Sequence, residues 1–457
     1  MISQCFQCLV SLLSCDGWEI STIEHLGNKR DGLDPLQSSM VQHNASQCGF
    51  CTPGFIMSTN TLLLSDESPS KKQIEDQVVG NICRCTGYRP ILDALKSMSD
   101  SSQKKKVVDI EDLSDWVKVC PLNKECKKKK VGDKAWFKPS TISSLLDYLD
   151  KLPDHTGHKM IAGNTARGVY EDLEDHDALI DVTDVTELKQ VSSDPLEVGA
   201  ALSITDTINH FKMILENEES GGYSYLKIIN DYLVYVASPA IRDVGTMAGN
   251  IMMKVLHPSF QSDIFSMLEA VGAKVVIASL ENGQIKLSEY SPVQLLNLDM
   301  KKKVIVKIIF PKLTSQHKFQ YYKVAPRTAF AAAYVNAAFL AEFDQTNKII
   351  VSPPSLVFGG VSDKFIHASD AETMIAGKDL TNPEILKNIF TTLDREAATD
   401  SDIEEQEFKT KLPSSLFYKF LLDTLGEEIS DNKRSGSGKV SKNFVLKSSW
   451  NFPLRGL

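Results

Sequence analysis

Apolar positions along this chain change texture three times. Up to about residue 98 they read as helical: segments 56–64 and 71–79 suit helices, and Asp93-Ala94-Leu95 continues a third after Pro90. Ser70 stands where an N-cap belongs, with Gln73 three residues on to complete a capping box. Between 99 and about 132 the apolar signal lapses. Ser99-Asp100-Ser101-Ser102-Gln103 leads into Lys104-Lys105-Lys106, and lysines return at 127–130. This stretch reads as a solvated inter-domain linker rather than a basic patch for an anionic partner. From Trp136 onward short apolar runs alternate with amphipathic ones. A helix is predicted within 139–149, then a short strand Lys159-Met160-Ile161 running into a glycine turn. Strands are predicted at 178–182, 196–198, 274–278 and 304–310, with a helix at 205–215. The alanine-rich 329–343 admits helix or strand, and 354–360 restarts a strand. Two helical patterns, 369–375 and 384–397, follow within 361–428, and 431–457 reads as a Ser/Gly/Lys-rich tail. No internal repeat stands out. The pattern is that of an α+β or α/β body behind a helical N-terminal part.

Composition narrows the class. A chain of 457 residues exceeds one core and suggests roughly two to four domains. With 42% hydrophobic and 24% charged residues it reads as an ordinary globular protein. A net charge of −9 argues against nucleic acid as the main partner. No apolar run reaches the ~18 to 20 residues of a membrane span, and the mildly apolar start lacks the basic residues of a secretory signal. Nine cysteines are too few for a disulfide scaffold, and in a cytoplasmic chain closely spaced cysteines more often bind metal.

Four of those cysteines carry the strongest signal. They stand in Gln47-Cys48-Gly49-Phe50-Cys51-Thr52-Pro53-Gly54 and Gly80-Asn81-Ile82-Cys83-Arg84-Cys85-Thr86-Gly87-Tyr88-Arg89-Pro90. Four thiolates from two short spacings suit zinc or an iron–sulfur cluster, and spacing alone does not choose between them. Both pairs fall beside expected helix ends, where N–H groups can stabilise sulfur charge. The flanking residues resemble the second [2Fe-2S] domain of the molybdenum hydroxylases, the xanthine dehydrogenase and aldehyde oxidase family. The resemblance implies that Cys48, Cys51, Cys83 and Cys85 hold one cluster.

Two further stretches point the same way. Met160-Ile161-Ala162-Gly163-Asn164-Thr165-Ala166-Arg167-Gly168 is a strand ending in a small-residue turn, where Gly163 removes a Cβ that would block a phosphate. It is not a GxGxxG fingerprint. Residues 237–251 are dense in small residues, Thr246 and Asn250 supply polar groups, and Ser262-Asp263 follows with a carboxylate for hydroxyls such as those of a ribityl chain. Together these stretches resemble the vanillyl-alcohol-oxidase-like (PCMH-type) FAD domain of the same family. The resemblance implies that Met160 to Arg167 line the pyrophosphate and that Thr246, Gly249, Asn250 and Asp263 contact the flavin or its ribityl chain. It also implies cofactor contacts for Ile305 and Lys323. Ala248-Gly249 stands where the family often has two glycines, and Val236 where an aromatic is common. The segment 254–261 is longer than in xanthine dehydrogenases, and its His257-Pro258-Ser259-Phe260 is more like insect aldehyde oxidases. His257 itself reads as a loop histidine.

The implied architecture is a multidomain α+β chain. A remnant of a plant-type ferredoxin domain occupies 1–25, a helical [2Fe-2S]-binding bundle 26–98 and a linker 99–132. A PCMH-type FAD domain follows at 133–314, a small α/β C-terminal flavoprotein subdomain at 315–428, and a tail at 429–457 toward an absent molybdopterin domain. Cys8 matches the last ligand of the family's first cluster, but one thiolate cannot hold two irons, so that cluster is expected to be absent or the chain to be a fragment. Cys5 and Cys15 read as small apolar residues, and Cys120 and Cys126 as linker residues. The implied function is electron relay from [2Fe-2S] to FAD and on to O2 or NAD, with molybdopterin only in a full-length form. No side chain is read as a catalytic acid or base, and a homodimer is expected from the family. Two other readings stay open: a truncated paralogue that binds FAD without turnover, and a zinc-stabilised scaffold.

Overall fold

The computed structural model describes residues 9–28, 32–99, 127–131, 134–170, 176–216, 221–327, 331–344, 349–362, 364–380, 382–397 and 406–425. Cys5, Cys8, Cys120, Cys126, most of the expected linker and the expected tail lie outside them. The chain divides into two compact units, Met1–Lys312 with Ala325–Ala333, and Leu313–Val324 with Tyr334–Leu457.

The first unit begins with helices Ile23–Leu26, Pro35–Gln42, Thr52–Ser65, Lys71–Gln77 and Arg89–Lys96. Their starts are written locally. Asp34 accepts from the Leu36 N–H at 2.9 Å while its own N–H donates to Gln37. Ser70 accepts from the Gln73 N–H, and its own N–H donates to Gln73 Oε1 at 2.8 Å, the capping box expected from sequence. The helices close on a core of Leu36, Met40, Phe55, Ile56, Ile74, Ile91 and Leu95. Each large aliphatic buried there stabilises by about 1.5–3 kcal/mol. The Ser39 hydroxyl donates to the Ala94 carbonyl at 2.8 Å and ties helix Pro35–Gln42 to Arg89–Lys96.

Two sheets follow in the same unit. Strands β1 (Lys127–Val131), β2 (Lys134–Lys138), β3 (His158–Ile161) and β4 (Ala178–Asp181) form a sheet in the order β1-β2-β4-β3. Strand β4 runs parallel to both β2 and β3, and helix Ile142–Lys151 makes the β2-to-β3 crossover with Leu145, Leu146 and Leu149 buried. The lysines at 127–130 were expected in a solvated linker; their backbone instead pairs antiparallel with β2 along a sheet edge. Four identical charged residues carry no alternation from which a strand could be read, yet lysine is a residue that keeps an edge from pairing further. The second sheet, all antiparallel, joins β5 (Val191–Ser193), β6 (Leu196–Gly199), β7 (Lys274–Glu281), β8 (Gln284–Tyr290) and β9 (Val304–Phe310) in the order β5-β6-β9-β7-β8.

In the second unit β10 (His317–Val324), β11 (Val335–Asp344), β13 (Ser355–Gly359) and β14 (Ile366–His367) form a sheet, with β12 (Ile349–Ile350) pairing β11. The alanine-rich stretch thus resolves as strand: alternate residues face a core that a helix would present to one side only. Helices Ser369–Ile375 and Pro383–Ala397 match the two expected ones, and helices Gln406–Thr410 and Leu412–Leu425 correct that count. Phe417, Phe420 and Leu421 of the last helix pack on Phe339 and its neighbours, and this tertiary contact supports a helix whose sequence shows little amphipathic pattern. The chain is therefore a multidomain α+β protein. No helix among the described residues is long and apolar enough to cross a membrane.

Candidate functional site

Cys48 and Cys51 immediately precede helix Thr52–Ser65, and Cys83 and Cys85 precede helix Arg89–Lys96. Both loops turn sharply. Gly49 has φ +79°, which a residue with a Cβ rarely adopts, and Tyr88 is held at φ +71°. The second loop is lashed to the first helix: Asn81 donates to the Ser58 hydroxyl at 3.0 Å, and Tyr88 meets Phe55 edge-on with centroids 6.4 Å apart. The Tyr88 hydroxyl accepts from the Cys83 N–H at 3.2 Å. Around the Cys83 sulfur, the Thr86 hydroxyl lies at 3.0 Å and the Thr86 N–H donates at 3.4 Å.

The thiols of the two loops interact with one another. The Phe50 N–H and then contact with Cys85 lower the Cys48 thiol, and that same contact raises Cys85. Burial, with the neighbouring Cys83 adding, pushes Cys51 up to about 11, while the Thr86 hydroxyl and N–H bring Cys83 down to about 7. Among the described residues no three Cys, His, Asp or Glu side chains converge closely enough to hold one ion. Cys48, Cys51, Cys83 and Cys85 are the thiols that the two loops present, and four cysteine thiolates are the donor set of a [2Fe-2S] cluster. Both pairs lie at helix N-terminal ends, where the dipole favours thiolate.

The expected flavin residues fall on several elements of the first unit, except Lys323. Met160 and Ile161 end β3; Ala162, Gly163 and Asn164 turn; Thr165, Ala166 and Arg167 enter a 3-10 turn, Thr165–Gly168. Asn164 adopts φ +52°, and its side-chain amide donates to the Leu9 carbonyl at 3.3 Å. Among the described residues the N–H groups of Gly163, Asn164, Thr165 and Ala166 make no backbone hydrogen bond, which leaves a donor set suited to pyrophosphate oxygens. Packing gives Gly163 a reason of its own to be glycine. An added Cβ would lie 2.2 Å from the Val244 carbonyl oxygen, so this glycine lets the turn press on the second small-residue stretch. A Cβ on Gly245 would likewise come 3.5 Å from the Thr165 hydroxyl. The two stretches, some eighty residues apart in sequence, are packed directly together.

In the second stretch Ala237 takes φ +50°, held by Arg242, whose guanidinium donates to the Val236 and Ala237 carbonyls, each at 3.0 Å. Thr246 caps helix Met247–Leu256 and accepts from the Gly249 N–H at 2.9 Å. The remaining first-turn N–H groups of that helix have no intrahelical acceptor. Asn250 accepts from the Ser262 hydroxyl, and Ser262 caps helix Asp263–Val271, which sets Asp263 in the first turn. Ile305 is buried in β9 opposite Ile277, at an irregularity where the next register pair is Val276 with Lys307. On the other edge of β9 the Val306 carbonyl accepts from the Ala200 N–H at 2.9 Å, continuing the β6 pairing. Lys323, on β10, belongs to the second unit. Thr86, Tyr88 and Arg242 were not singled out in the sequence. Thr86 and Tyr88 lie inside the cysteine frame, but their roles depend on where a hydroxyl points. Cys8 lies outside the described residues, and Cys15, half-buried, donates to the Ser11 carbonyl.

Three family models match successive parts of the chain. They are a [2Fe-2S] binding domain over residues 22–96, the FAD binding domain in molybdopterin dehydrogenase over 129–313, and the CO dehydrogenase flavoprotein C-terminal domain over 320–424. Among curated relatives, the abscisic-aldehyde oxidase of Arabidopsis thaliana is 31% identical over 90% of this chain and 34% of its own length. Xanthine dehydrogenase 1 of the same plant is 28% identical over 91% of this chain and 34% of its own. The chain thus spans about a third of the length of these relatives, all oxidoreductases by name. Among solved structures, quinoline 2-oxidoreductase from Pseudomonas putida 86 matches with TM-score 0.50 at 18% identity, covering 65% of this chain and 98% of that one. A carbon monoxide dehydrogenase from Hydrogenophaga pseudoflava matches with TM-score 0.50 at 17% identity, covering 62% and 93%. These two likenesses speak to the fold. With paired cysteines before two helices and a small-residue turn after β3, the chain belongs to the molybdenum hydroxylase family of aldehyde oxidases and xanthine dehydrogenases, of which it carries the [2Fe-2S]-binding and FAD-binding electron-transfer segment.

Proposed function

We propose that Cys48, Cys51, Cys83 and Cys85 hold one [2Fe-2S] cluster, and that within the first unit Met160 to Arg167 with Thr246, Gly249, Asn250, Asp263 and Ile305 hold FAD. Bound there, the cluster supplies single-electron and the flavin two-electron storage, the conversion that joins a one-electron relay to an acceptor such as O2 or NAD. The chain's own contribution is electrostatic and positional. Thr86 and the helix N-termini stabilise sulfur charge, the N–H groups of the 163–166 turn that make no backbone hydrogen bond take pyrophosphate oxygens, and Asp263 accepts from hydroxyls. No side chain has to move a proton. The observation that carries this reading is the seating of the Cys83-Cys85 loop on the helix that follows Cys51, through Asn81 on Ser58 and Tyr88 on Phe55, within the same compact unit as the 163–166 turn. In a whole enzyme, electrons would come from aldehyde or purine oxidation in a molybdopterin domain; a cytoplasmic homodimer fits this reading.

The test is anaerobic reduction of the FAD-loaded chain by a one-electron donor, followed by mixing with O2 or NAD. The expected result is joint bleaching of flavin and cluster absorbance and reoxidation by one of the two acceptors. In Cys83→Ser, flavin reduction should slow about tenfold or more as the relay is lost. Flavin reduction at the wild-type rate in that variant contradicts the relay.

A further inference from the structure

The segment 257–262 does more than connect two helices. Tyr170 lies just past the 3-10 turn, and its N–H donates to the Ala166 carbonyl at 3.0 Å, so its ring is anchored to the flavin turn. That ring stacks face to face on His257, with centroids 3.8 Å apart and planes 3° from parallel. Phe260 meets the same tyrosine edge-on, at 6.4 Å and 86°. His257 is itself fixed, its N–H donating to the Met253 carbonyl at 2.8 Å where helix Met247–Leu256 ends. The Phe260 N–H returns to the His257 carbonyl at 2.8 Å. Lys254, buried in the last turn, donates its ammonium to the Pro258 carbonyl, and Gln261 donates to the Ser259 carbonyl at 2.9 Å. Ser262 then closes the loop back onto Asn250.

The two flavin-lining stretches are thus braced twice. Gly163 against Val244 is backbone packing; Tyr170 against His257 is a pair of rings. A dinucleotide cofactor touches both stretches at once, and any freedom between them must be given up when it binds. We propose that Tyr170, His257 and Phe260 form an aromatic clasp that presets the spacing between the 163–168 turn and helix Met247–Leu256, acting as positioning residues for FAD. The inference rests on the flavin reading above. Stacking of this kind corresponds to roughly three- to tenfold in cofactor affinity.

The full chain is loaded with FAD and diluted into FAD-free buffer, and release is followed by the return of free-flavin fluorescence. Tyr170→Ala and His257→Ala should release FAD roughly three- to tenfold faster. Tyr170→Phe, which keeps the ring, should restore the wild-type rate, and the FAD-free chains should melt at the wild-type temperature. Release from Tyr170→Ala at the wild-type rate overturns the clasp. If the alanine variants melt early, the comparison moves to Tyr170→Leu against Tyr170→Phe: faster release from the leucine variant supports the clasp, and equal rates overturn it. A wild-type chain that takes up no FAD removes the flavin reading and the clasp with it, an outcome distinct from either.

Discussion

A methyl group at residue 163 has nowhere to go. With its Cβ 2.2 Å from the Val244 carbonyl oxygen, Gly163→Ala must displace one backbone or the other. We expect a loss of about 1–3 kcal/mol in chemical denaturation together with reduced FAD content. Unchanged stability would mean that the turn does not press on Val244. Thr86 offers a second single-residue test. Its hydroxyl and N–H both reach the Cys83 sulfur, and hydrogen bonds to sulfur favour the more negative, reduced cluster. Thr86→Val should lower the cluster's midpoint potential by tens of millivolts in a redox titration while iron content stays constant. The four cysteines were legible because thiol spacing is local and their neighbours are distinctive. How the second loop is seated was not, since it depends on Asn81 and Tyr88 meeting Ser58 and Phe55 of helix Thr52–Ser65.

Helix Met247–Leu256 shows how an element carries the site. Thr246 closes its first turn, so Thr246→Ala should cost about 0.5–2 kcal/mol and Thr246→Ser much less, as read by thermal denaturation. Lys254 sits buried in the last turn, and burial pushes its ammonium from 10.5 down to about 8. Below pH 8 the residue is charged folded and unfolded alike, so the full cost of burying it is present. Between about 8 and 10.5 the folded state sheds its proton first, and the contribution of this group to stability rises with pH. Lys254→Met should flatten that rise in denaturant titrations across this range; parallel slopes for the two proteins would contradict the assignment. Elements with strong local signals, such as the capping box at Ser70 and the apolar β9, were readable within a residue or two. Strand β1 was not, because four lysines have no alternation, and helix Leu412–Leu425 was not, because its support comes from Phe339 on a distant strand.

At the scale of the molecule, the central claim is that one chain holds an iron–sulfur cluster beside FAD. The resemblance of the cysteine frame and the two small-residue stretches to the molybdenum hydroxylases already implied an electron-transfer segment. What sequence could not show is that residues 163–165 and 244–245, far apart along the chain, make one packed surface. The most direct measurement is the visible spectrum of the anaerobically purified chain through a dithionite titration, with iron, zinc and acid-labile sulfide assayed on the same sample. The account predicts flavin bands near ~450 nm and a broad shoulder beyond ~500 nm, both bleaching, with iron and sulfide in equal amounts and no zinc. A colourless protein containing zinc and no sulfide would contradict it.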